Sequence, residues 1–312
     1  MKSLAILALV ALAIAVAGCS VGADDAQQGG ATLSVTRDFG AQRVLAARED
    51  PIPGGETVLR LLSRNADVDT RYGGRFVNAI EGIRSQASGG ARRDWFYFVN
   101  GIEADTGAAE RELSAGDRVW WDYRDWSAAM RVPAVVGAYP EPFLHGSEGK
   151  RFPVRLDCAP DAADQCEEVR DRLDRDGVET AISALGTAVG KDTLRVVVGK
   201  WADVRADVAV RKLEEGPGES GVFARPVARG EAFDVALLDE QGRTVRTLGP
   251  GTGLVAATRF EEQQPTWVVA GTDAAGLSRA VALLDRATLR DSFATAASGP
   301  EPIRLPVTGG GE

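Results

Sequence analysis

The sequence predicts an α+β chain: a mostly β unit with one helix, then an α/β unit whose sheet is mostly parallel or mixed. Three observations carry that prediction. Between residues 32 and 126 the chain runs in short β-branched and aromatic stretches, broken by Gly, Pro and Asn-Gly turns, with one helical stripe among them. From about residue 151 aliphatic stretches alternate with helical ones, the texture of a sheet covered on both faces. Residues 127–150 carry several Pro and Gly and read as a linker between the two textures.

The chain opens on Met1-Lys2-Ser3, which supplies a positive charge, and continues through Leu4 to Ala17 as a purely aliphatic and alanine run. That run falls short of the roughly 20 residues a spanning helix needs and has the length of a signal-peptide core. Val16-Ala17-Gly18-Cys19 resembles the bacterial lipobox, an aliphatic residue and two small ones before the cysteine. Residues 1–18 are therefore expected to be removed, and Cys19 to carry the lipid. Two or three acyl chains anchor a protein stably where one holds it only marginally. Residues 19–31 are small and polar, the composition of a flexible tether. The resulting expectation is a lipoprotein at the outer face of the cytoplasmic membrane.

In the unit over 32–126, Thr32 to Thr36 alternates, with Leu33 and Val35 on one side. Thr57 can cap a helix whose Val58, Leu61, Leu62 and Asn65 form an i, i+3, i+4 stripe. Phe76 to Ile80 is a short strand, and Trp95 to Val99 the strongest strand signal in the chain. Asn100-Gly101 follows directly, the favoured pair for a tight hairpin turn. Gly116-Asp117 introduces a last strand, Arg118 to Tyr123.

Over 151–297, Phe152 to Leu156 is a strand and Cys166 to Asp174 a helix. Leu194 to Val198 and Thr266 to Ala270 read as covered strands, and Ala202 to Leu213 as a helix. Asp234 to Leu238 and Thr244 to Leu248 form a hairpin around Glu240-Gln241-Gly242-Arg243. Gly271-Thr272-Asp273 turns into a helix with Leu277, Ala280, Val281 and Leu284 on one face. Residues 298–312 are Pro/Gly-rich and read as a disordered tail.

Composition excludes several function classes. The net charge of −9 leaves no electrostatic footprint for nucleic acid and opposes adsorption to anionic lipid, so the anchor must hold the protein at the membrane. Beyond Cys19, only Cys158 and Cys166 remain, at the end of one predicted strand and the start of a helix. In an exported chain a disulfide between them is expected. The single histidine, His145, has no second nitrogen ligand for a metal and no nucleophile beside it, and reads as a solvated loop residue. Nucleophile-elbow, zinc and phosphate-loop motifs are missing, so no enzyme and no cofactor are expected. Gly271-Thr272-Asp273 reads as strand-to-helix punctuation ahead of an anion seat.

The aromatic residues are the informative feature. Trp95, Trp120, Trp121 and Trp126, four of the six Trp, fall between residues 72 and 126 with Tyr72, Tyr97 and Tyr123. A core needs one face of each strand, yet Trp95 to Phe98 and Trp120-Trp121 place large rings on both. The surplus face either packs on the second unit or meets a flat apolar ligand. Tyr97, Asn100, Trp120, Trp121 and Tyr123 are the candidate ligand residues.

The order Gly54 to Leu59, Ile80 to Ile83, Trp95 to Gly101 and Leu113 to Tyr123 resembles the C-terminal β-domain of transcobalamin and intrinsic factor. The resemblance covers about residues 32–126 and implies a β-grasp-like sheet packed on one helix. In those transport proteins the domain closes over one face of a corrin ring, and a helical barrel, which has no counterpart here, holds the other. It implies capture of a flat ligand, a corrinoid or similar, for a vitamin-type transporter. The alternative is a cell-envelope interaction module whose aromatic face docks on a protein partner or on its own second domain.

Overall fold

The structure is a computed structural model and describes residues 29–72, 75–86 and 92–308. The expected signal peptide, Cys19, the tether to residue 28 and the last four residues lie outside the described residues.

The first unit is built from β1 (Ala31–Arg37), β2 (Gln42–Glu49), α1 (Val58–Asn65), β3 (Val68–Arg71), β4 (Phe76–Ile80), β5 (Ile83–Arg84), β6 (Arg93–Val99), β7 (Ile102–Glu103) and β8 (Arg118–Asp125). Its main sheet runs β2-β1-β8-β6-β7, with β1 and β8 parallel and the other pairs antiparallel, a β-grasp order. A small sheet β3-β4-β5 flanks it. Thr57 caps α1 as its position predicts, its Oγ1 accepting from Arg60 N at 3.3 Å. Val58, Leu61 and Leu62 are then fully buried against Leu33, Val35, Trp95, Tyr97 and Trp121. Strand alternation sends those residues to the helix side and Phe98 and Trp120 to the other.

The second unit contains β9 (Val154–Cys158), α2 (Ala163–Arg175), β10 (Thr180–Ala184), β11 (Leu194–Lys200), the short helices α3 (Trp201–Val204), α4 (Val208–Arg211) and α5 (Pro217–Ser220), β12 (Ala224–Arg229), β13 (Ala232–Leu238), β14 (Thr244–Leu248), β15 (Gly253–Thr258), β16 (Thr266–Gly271), α6 (Ala274–Leu283), α7 (Arg286–Leu289), β17 (Ala294–Ala297) and β18 (Ile303–Leu305). Its seven-stranded sheet runs β10-β9-β11-β16-β15-β17-β18. The first four strands are parallel and the last three antiparallel, so the sheet is mixed. Strands β12-β13-β14 form a separate antiparallel sheet. Asp273 caps α6 through Gly276 N at 2.8 Å. Cys158 and Cys166 are bridged, with Cα atoms 6.2 Å apart.

Three expectations change. The stretch 127–150 is no free linker: Val132, Val135, Val136, Tyr139 and Phe143 are buried in the core shared with the second unit. Val135 N donates to Gly101 O at 2.9 Å and Val136 N to Phe293 O at 3.3 Å, so the segment hydrogen-bonds to both units. The tail that reads as disordered carries β18, whose Leu305 is buried beside β17. The helix expected over 202–213 breaks, because the Asp207 carboxylate accepts from Ala209 N and Val210 N and starts a new helix there.

Candidate functional site

The five residues singled out as ligand contacts all lie inside the protein. Tyr97 faces α1, its ring centroid 4.8 Å from that of Trp121, and its hydroxyl donates to Thr106 O at 2.7 Å. Burial pushes that hydroxyl up to about 12. Tyr123 shares the face, stacks at 5.2 Å on Trp95 and donates to Arg84 O at 2.8 Å. Trp120 faces the other way, and its Nε1 donates to Thr36 Oγ1 at 2.7 Å. Asn100 takes φ +54° in the β6–β7 turn, and its Nδ2 donates to Asp117 Oδ1 at 2.8 Å and Gly146 O at 3.0 Å. None of the five is more than 8% exposed, so no ring is presented to solvent.

The second aromatic face of the sheet has a partner in the chain itself. Phe293, between α7 and β17, lies 5.3 Å from Trp120, 5.6 Å from Phe98 and 5.0 Å from Phe39. Phe39 also meets Phe223 at 4.9 Å. The surplus rings therefore form a seam between the two units.

Beside that seam lies a cleft of about 580 Å3, within the range typical of small-molecule sites. The β6–β7 turn and the loop after it form one wall, residues 147–153 a second, and Asp192 and Arg259 a third. Arg111, only 9% exposed, pairs with Glu148 at 2.9 Å and reaches Ser147 Oγ at 3.3 Å. Glu103 is buried at the back, accepting from Arg124 Nη2 at 3.2 Å and Val132 N at 3.2 Å, and burial raises its carboxyl above the usual range. Lys150 and Asp192 have no ion-pair partner among the described residues and remain free to meet a polar ligand. These charged residues come from distant loops with no spacing to join them, so no sequence pattern marks the cleft.

His145 is partly exposed in its loop and is also held: its Nδ1 lies 2.6 Å from Glu141 Oε1, and its backbone N donates to Glu141 Oε2 at 3.0 Å. The α6 N-terminus is already occupied, since the Asp273 carboxylate takes both Gly276 N and Gly251 N. Among the described residues, no group of three His, Cys, Asp or Glu side chains is placed to hold a metal ion. No helix among them is long and apolar enough to cross a membrane.

Residues 55–125 match the family model described as a domain of unknown function, DUF4430. The match runs from just before α1 through β8 and leaves out the β1–β2 hairpin. No curated protein matches the chain. A crystal structure from Ruminococcus gnavus ATCC 29149, described as that of a candidate metal-binding protein, aligns at 16% identity with a TM-score of 0.26. It covers 31% of this chain and 98% of its own. A likeness of that degree carries no argument about what this chain binds.

Proposed function

We propose that the protein is a lipid-anchored, extracytoplasmic binding protein that captures a small polar ligand in the cleft between its two units and presents it to an uptake system. The carrying observation is the 580 Å3 cleft, whose walls come from both units and whose Lys150 and Asp192 are unpaired among the described residues. The leader and Cys19 support export and anchoring, and a Cys158–Cys166 bridge suits an oxidising compartment. Binding without catalysis is the reading, because the sequence carries no nucleophile-elbow, zinc or phosphate-loop motif.

The flat-ligand version, a corrinoid on the sheet, draws less support. Its candidate rings are covered by α1 on one face and by Phe293 on the other, and exposing them means opening a core. The docking alternative is favoured by one observation, the aromatic face packed on the second unit.

Thermal melts of the mature chain test the proposal against amino acids, sugars, small carboxylates, cobalamin, cobinamide and haem. A ligand at one hundred times its Kd adds about 2.7 kcal/mol of stability. Lys150→Ala, on an exposed loop, should abolish the shift without lowering the unliganded melt. No shift from any class rejects capture. Saturable tryptophan quenching by a corrinoid restores the sheet-face reading.

A further inference from the structure

A second cavity, also about 580 Å3, is lined by four arginines drawn from both units: Arg48, Arg118, Arg151 and Arg286. Among the described residues Glu141 is the one carboxylate in its lining, and His145 already occupies both of its oxygens. Arg48 has Asp50 at 3.0 Å and Arg286 has Asp176 at 2.7 Å, both outside the lining. Arg118 and Arg151 have no carboxylate partner among the described residues.

Arg118 is the centre of the argument. It is half-buried, and its Nη1 donates to Ala138 O at 3.0 Å and Tyr139 O at 3.1 Å. Two carbonyls fix the guanidinium without neutralising it. Burial lowers its pKa, and the charges of Arg286 and Arg290 push the same way, against Glu141 and Asp291. A desolvated guanidinium among other guanidiniums gains most from an oxyanion, which its planar fork matches with paired hydrogen bonds.

We infer that this cavity binds a phosphate carrying a small organic substituent. The volume exceeds what a bare phosphate fills, and Pro140 and Leu144 supply neutral surface for the remainder. Gly29 and Gly30, where the tether joins the fold, also line the cavity. Ten residues, 19–28, lie between the lipid-bearing position and Gly29, and ten residues span at most about 36 Å, so an anchored chain holds this opening near lipid headgroups. The phosphate can therefore come from an anionic lipid headgroup or from a soluble phosphate ester. The headgroup source rests on the anchored reading above, and the soluble source does not.

The test uses the full exported chain with Cys19→Ser, so that no lipid attaches. Calorimetry with inorganic phosphate and glycerol 3-phosphate reads the soluble source. Sedimentation with phosphatidylglycerol–phosphatidylcholine vesicles, against phosphatidylcholine alone, reads the headgroup source. Saturable binding in either arm, weakened about tenfold or more by Arg118→Met, is the expected result. Arg286→Gln, on a half-exposed side chain, should weaken the same binding and serves if Arg118→Met does not fold. Lys150→Ala, in the other cleft, should leave it unchanged, which separates this inference from the capture proposal. Binding in neither arm, or binding indifferent to both arginine variants, overturns it.

Discussion

Asp122 is the residue whose chemistry the fold alters most plainly. It sits fully buried on β8, accepting from Thr36 Oγ1 at 2.5 Å, Phe39 N at 3.0 Å and Gly40 N at 2.9 Å, and so pins the β1–β2 turn. Burial is the largest influence on its carboxyl and pushes it up to about 6, the three donors opposing. A carboxyl raised on folding binds its proton in the native state at a higher pH than in the unfolded chain. The group therefore stabilises the fold as pH falls from about 6 to about 4, and its ionised form costs up to roughly 3 kcal/mol at neutral pH. Asp122→Asn removes the titration but keeps the size. Its destabilising effect should grow between pH 7 and pH 4, measured by paired urea melts. An effect that stays level across that range contradicts the assignment. Asn100→Ala should cost about 2–4 kcal/mol at any pH, since it takes the Nδ2 donor from Asp117 Oδ1 and Gly146 O and the acceptor from Arg118 N, and places a Cβ-bearing residue without a local partner at positive φ. A melt within 1 °C of the native chain would refute that.

Helix α6 shows how closely one element can be seated. A Cβ on Gly271 would lie 2.0 Å from Leu277 N, and one on Gly253 2.5 Å from Ala280 N and Gly276 O. Gly271→Ala should therefore lift α6 from the sheet, at the upper end of the roughly 1–3 kcal/mol that overpacking costs. Denaturant unfolding of the variant measures this. The Cys158–Cys166 bridge ties β9 to α2 and closes a short loop, worth about 2.5 kcal/mol by chain entropy. Elements with a local signal were legible in the sequence: the Thr57 cap and stripe of α1, the Asn100-Gly101 turn and the Leu277–Val281 face of α6. The edge strands were not. Gln42–Glu49 mixes charge with apolar residues because it is largely exposed, and Ile303–Leu305 becomes a strand only by pairing with β17. Residues 127–150 read as a linker because their apolar residues follow no period, yet a layer between two units needs none. For the site, two-faced aromatic strands were visible, but what covers the second face depends on Phe293, far along the chain. Charged residues brought together only by tertiary contact leave no local trace.

At the scale of the whole molecule the seam makes the two units one folding body. Phe39, Phe98, Trp120 and Phe293 bury one another, and the 127–150 segment bonds to both sides. Phe293→Ala should cost about 3–5 kcal/mol and loosen both units together. Calorimetry of the native chain should show one transition, whereas two resolved transitions would mean that the seam contributes little. Cys19→Ala tests the anchor: membrane fractionation with labelled fatty acid should find the native chain labelled and bound, and the variant unlabelled and released. An unlabelled native chain would refute anchoring.

The parallel pairing of β1 with β8 has a consequence for the order of events during synthesis. Strand β1 is made early, yet its sheet neighbour follows only with residues 118–125. Even then Phe98 and Trp120 face water until Phe293 emerges near the end of the chain. Throughout that interval an apolar patch is open to misassociation with other unfinished chains. Truncating the chain before residue 293 should therefore leave that patch uncovered and convert folded product into aggregate, read by sedimentation against the full chain.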